Sequence, residues 1–113
     1  MLNLRTAHYR YSGNDRLDVT VKGQHQFGKF LAPRWDMVMA VKNHGRNGHP
    51  FYIREYSTIL NSVPEWVWAK MLNEERITLV CFCNEHEFCH RNLIIDYMRD
   101  YRQFPVCYSG WVV

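Results

Sequence analysis

The sequence lacks any apolar run of the length a membrane span needs, and its first residues carry no charged-then-apolar signal pattern. The chain is therefore read as cytosolic, with no membrane partner. It lacks internal repeats, low-complexity segments and linkers, which leaves one domain over residues 1–113. It also lacks a Lys/Arg cluster. The net charge of +3 is mild and dispersed, so it favours small anions and makes nucleic acid the weakest partner class. No Cys precedes an Arg at the spacing of a phosphatase loop, which puts five residues between the two. The spacing of its Cys and His residues matches no common zinc signature, which sets a second ligand pair at a fixed distance after the first.

Apolar and aromatic side chains are plentiful. Hydrophobic residues make up 47% of the chain and aromatic ones 15%, enough for one folded core and too much for disorder. Seven Tyr, six Phe and four Trp exceed what so small a core hides, so some are expected to line a groove or a homo-oligomer interface. In a reducing compartment the four Cys are thiols, available as ligands or nucleophiles.

The chain is organised around ITLVCFCNEHEFCHRNLIIDYMRDY, residues 77–101. Its first part, Ile77–Cys83, reads as a buried strand. Leu93, Ile94, Tyr97 and Met98, with Tyr101 beyond, recur at helical spacing, so Cys89–Tyr101 reads as an amphipathic helix. The polar loop 84–88 between them would offer an anion the backbone N–H groups and positive dipole end of the helix.

The rest alternates. Leu4–Tyr11 and Leu17–Val21 read as strands, and Pro33 opens a helix that Asn43-His44-Gly45 closes. Phe51–Leu60 reads as a helix. Ser62 and Glu65 have the spacing of a capping box for the next one. A last strand is expected at Phe104–Tyr108, with Trp111-Val112-Val113 unassigned. Strands alternating with helices predict a small α/β domain, its sheet mixed or partly parallel and flanked by helices.

"LVCFCNEHEFCHRNLIIDYM" resembles the Cys-His-Arg signature of the family called domain of unknown function 488. Tyr9–Gly13 with Asp15–Thr20, and Phe30–Pro33 with Trp35–Val38, resemble the opening blocks of its short phage and bacterial members. The resemblance covers roughly residues 4–101 and implies the fold more firmly than the chemistry.

The candidate site is the loop and the start of its helix. Cys89 would be a nucleophile if the helix dipole and its cationic neighbours lower its pKa, or else a small residue packing a tight turn. His90 would be a general base, or a loop-fixing hydrogen-bond donor. Arg91 opposes the helix dipole, which suits a guanidinium gripping a phosphate or carboxylate; the plain reading is a salt bridge. Arg10, Tyr11, Ser12, Arg16, Lys29 and His86 complete the expected ligand-binding set. Asp15 reads as a solvated turn residue.

These residues predict a small phosphorylated or nucleotide-like ligand, bound or processed, with no cofactor. Sequestration of a nucleotide signal is the form that the phage-type resemblance implies. On this reading Arg91→Ala abolishes ligand binding and leaves stability nearly intact. Zinc is the competing expectation: Cys81, Cys83, His86, Cys89 and His90 fall within ten residues, and Cys83-x-x-His86-x-x-Cys89 is compact. Against it, Cys81 and Cys83 belong to a strand expected to be buried. The alternative class is a protein-interaction module, zinc-stabilised in one version, acting on a host factor through its aromatic surface.

Overall fold

The computed structural model describes residues 1–113. Four strands form one sheet: β1 Leu2–His8, β2 Arg16–Asp18, β3 Arg76–Cys81 and β4 Val106–Val112. Their order is β2-β3-β1-β4, and every neighbouring pair is parallel. The helices are α1 Trp35–His44, α2 His49–Ser62, α3 Glu65–Leu72 and α4 His90–Asp96, the last running on as a π-helical turn, Tyr97–Tyr101. The fold is α/β. No helix is long and apolar enough to cross a membrane.

Side chains alternate across a strand, and that period divides the sheet's two faces. Leu2 and Leu4 of β1, Leu17 of β2 and Ile77 and Leu79 of β3 join one core with Tyr56, Trp68, Ile94 and Met98 from the helices. Arg5 and Thr78 point the other way and meet the Tyr9–Asp15 connection. There Asp15 accepts from Arg5 Nη2 (3.1 Å), Tyr11 Oη (2.5 Å), Thr78 Oγ1 (2.5 Å) and Arg76 Nε (3.0 Å). Asp15 is thus the clamp that holds this connection on the sheet, where the sequence suggested a solvated turn.

Burial alone would raise the Asp15 pKa. The hydrogen bonds from Thr78, Tyr11 and Arg5 outweigh it and hold the carboxyl well below the usual range. A depressed carboxyl stabilises the fold above its unfolded pKa of about 4 and loses that contribution as pH falls toward the folded value. Asp15→Asn is expected to cost about 3 kcal/mol at pH 7 and to flatten the acid limb of the stability curve below about pH 4. Urea midpoints at both pH values check this; an unchanged acid limb removes Asp15 as its source.

Several boundaries differ from the sequence reading. β1 lies two residues earlier and ends at His8, so Tyr9 and Tyr11 lie past it. β2 is three residues long, and β3 stops at Cys81, leaving Cys83 in the loop. The capping box does not form. Ser62 is the last residue of α2, its hydroxyl donates back to Thr58 O at 2.9 Å, and Pro64 precedes α3 with no side-chain cap. Backbone continuity of α2 wins, because a serine can bond the preceding turn as readily as it caps the next. β4 takes in Trp111 and Val112, which pair with Thr6 and Ala7. The stop at Gly45 is as expected, with φ of +56°.

Candidate functional site

A cleft of about 460 Å³ opens past the carboxyl ends of β2 and β3, where parallel α/β sheets place their ligands. Val21 and Lys22 follow β2 into one wall. Trp35, Val38, Val41 and Lys42 of α1 form another. Phe82, Cys83, Glu87 and Phe88 of the β3–α4 loop close the third side. Phe88 is held by a stack on His49 (3.9 Å between ring centroids) and an edge contact with Tyr52 (5.1 Å). Trp35 and Phe82 are exposed at 53% and 64%, so part of the aromatic excess does line a groove.

Cys81, Cys83 and Cys89 meet at the floor. Their sulfur atoms lie within 4.8 Å of one another. Cys81 is the last residue of β3, Cys83 stands two residues on, and Cys89 caps α4 in extended conformation (φ −153°, ψ 147°). The seven-residue return of the loop brings the third thiol back onto the first two. All three are free thiols, Cys81 and Cys89 buried and Cys83 half-buried. Their ionisation is shared: hydrogen bonds from Cys83 and Cys89 drive the Cys81 thiol far down. The same bonds to Cys81 push Cys83 up to about 11 and Cys89 further up. These bonds favour the thiolate form of Cys81, and the donor set suits a thiophilic cation.

His90 follows Cys89 and lines the same cleft. Its Nε2 donates to Val19 O at 2.6 Å, which leaves the Nδ1 lone pair facing Cys89 Sγ at 3.5 Å. Burial lowers its pKa and keeps the ring neutral. Arg91 is 2% exposed. Nη1 donates to Ala7 O (2.5 Å), and Nη2 donates to Cys83 O (3.0 Å) and Asn84 O (3.2 Å). Its guanidinium carbon is 5.0 Å from the Trp111 ring centroid. Arg91 therefore joins the carboxyl ends of β1 and β3 to β4 and shapes the loop that carries Cys83.

The family model described as the active DUF488-N3 subclade matches residues 4–102. The chain belongs to the DUF488 family. No curated protein and no solved structure matches it. The matched segment of this DUF488 chain contains the whole cleft, and β4 lies beyond it.

The remaining residues expected at the site are dispersed. Arg10, Tyr11 and Ser12 line a separate polar hollow with His8, Asn84 and Val112, off the cleft. Arg16 donates to Tyr11 O (2.9 Å) and Tyr9 O (2.8 Å) and holds that turn. Lys29 sits over Phe30 in a 3₁₀ turn, and the His86 side chain is 92% exposed at the loop tip. The DUF488 cleft instead recruits Lys22, Trp35, Lys42, Tyr52 and Phe88, none of which the sequence reading assigned to a site. Lys22 Nζ is 6.0 Å from the Trp35 ring centroid. The ion pairs of the chain use arginines and His86, leaving both cleft lysines unpaired. A basic residue within an apolar stretch was the one available signal, and it marks most surface helices equally.

Proposed function

We propose that this DUF488 chain holds a zinc ion on Cys81, Cys83 and Cys89 and binds a small planar anionic ligand, nucleotide-like in size and charge, in the cleft above it. The observation that carries this reading is the convergence of three thiols at the floor of an aromatic-walled cleft. Thiolates are the preferred ligands of zinc. The cleft volume falls in the range of small-molecule sites, and Trp35, Phe82 and Phe88 offer faces to a flat ring. Lys22 and Lys42, unpaired beside those faces, suit a phosphate or carboxylate. The sequence pointed to Arg91 for the anion, but its three carbonyl partners favour the lysines instead. The matched family's description as an active subclade fits a floor with chemical capacity.

The zinc-loaded protein is titrated with a panel of nucleoside 5′-monophosphates and the matching nucleosides, read by Trp fluorescence. The best monophosphate is expected to bind at least about tenfold tighter than its nucleoside, a difference of about 1.4 kcal/mol. Lys22→Ala with Lys42→Ala removes that margin without moving the unfolding temperature, since both lysines are exposed. Equal affinity for nucleoside and monophosphate throughout the panel rejects the anion subsite. Absence of any binding rejects the ligand class.

A further inference from the structure

We infer that the metal position is open: the three thiolates occupy three corners of a tetrahedron, and the fourth faces the cleft to take water or a donor atom of the ligand. This rests on the zinc reading above and deepens it, because a closed site is a staple and an open one is a Lewis acid.

Three observations support an open corner. First, the donor atoms that lie within 4.8 Å of one another are those of the three cysteines alone, and neither ring nitrogen of His90 joins them. Second, His90 has both ring nitrogens engaged. Its Nε2 is tied to Val19 O on β2's outgoing chain, and its Nδ1 lies 3.5 Å from the Cys89 sulfur. It is placed to orient Cys89, in the way that groups behind a metal ligand fix its direction. Third, all three cysteines line the cleft, with Cys83 the least buried, so the vacant direction points where the ligand is expected. His86, the other candidate in the sequence, is directed into solvent.

The consequence is a functional class. A three-thiolate cation with a free corner polarises a bound water or a carbonyl, phosphoryl or ring-nitrogen donor on the ligand. His90 is a positioning residue on this view, and Cys89 is a metal ligand, not a nucleophile.

The test uses the full chain loaded with Co(II), whose visible bands report coordination geometry and whose near-ultraviolet thiolate charge-transfer band reports the number of sulfur ligands. Azide is the exogenous donor. The expected result is a three-thiolate spectrum whose visible bands change saturably with azide in the wild-type chain. Bound Co(II) with bands indifferent to azide means a closed site and overturns the inference while sparing the metal reading. An azide response that appears only in His90→Gln, with the wild-type bands fixed, makes His90 the fourth ligand and overturns it too. Failure of the chain to bind either Co(II) or zinc overturns both readings together.

Discussion

Arg91→Ala is expected to leave the chain largely unfolded at 37 °C. The guanidinium is almost fully buried and satisfies Ala7 O, Cys83 O and Asn84 O, carbonyls from β1 and from the loop after β3. Truncation strands those acceptors, opens a cavity and removes the contact with the Trp111 ring. Removing one member of such a buried charged network costs about 4 kcal/mol or more, against a total stability of roughly 5–15 kcal/mol for a domain. Arg91→Lys keeps the charge but reaches fewer carbonyls, because an ammonium lacks the planar fork, so it is expected to recover only part of the loss. Arg10→Ala, on an exposed side chain, should change stability by less than about 0.5 kcal/mol. Urea denaturation of the three variants decides. An Arg91→Ala shift below about 1 kcal/mol would return Arg91 to the ligand-gripping role that its place in the sequence suggests.

Loss of zinc is the second large expected effect. Purified with zinc present, the wild-type protein should hold about one equivalent, and Cys83→Ser should hold far less. Cys107→Ser, on the exposed edge strand β4, should match wild type. Metal in roughly 1,000-fold excess over its dissociation constant adds about 4 kcal/mol to a fold that binds it only when native. In a domain of this size that corresponds to about 15 °C of unfolding temperature. Chelation should reverse the gain in wild type and do nothing in Cys83→Ser. The gain should shrink as pH falls, because protons compete for the thiolates. Metal analysis with thermal melts, with and without chelator, checks each step. A wild-type chain free of zinc, with a melt indifferent to chelator, would leave the three thiols as packing residues.

Some of this molecule was legible in one dimension. The β-branched run at Ile77–Val80 and the spacing of Leu93, Ile94, Tyr97 and Met98 are local periodicities, and each formed its element near the expected place. Strands alternating with helices led to an α/β sheet, and the Cys-His-Arg signature led to the family. Element ends were less legible, because they depend on competition. Ser62 had two partners within one turn, and the α2 backbone took it. Val112 had a neighbour to pair with only once β1 lay beside it.

By itself, then, the sequence determined what a short window contains: which segments are helix or strand, that β3, its loop and α4 form the centre, and which residue types stand there. Tertiary structure decided which way those residues face. Arg91 and Ala7 are 84 positions apart, and His90 and Val19 are 71 apart. Only parallel pairing of β1, β2 and β3 turns the arginine inward onto carbonyls and sets the histidine between Val19 O and a cysteine. The same pairing sets three thiols at a cleft floor and brings Lys22 and Lys42 to the cleft above it. Period and propensity act over a few residues, whereas burial and charge compensation are properties of neighbours in space. The arrangement of this site was decided by the second.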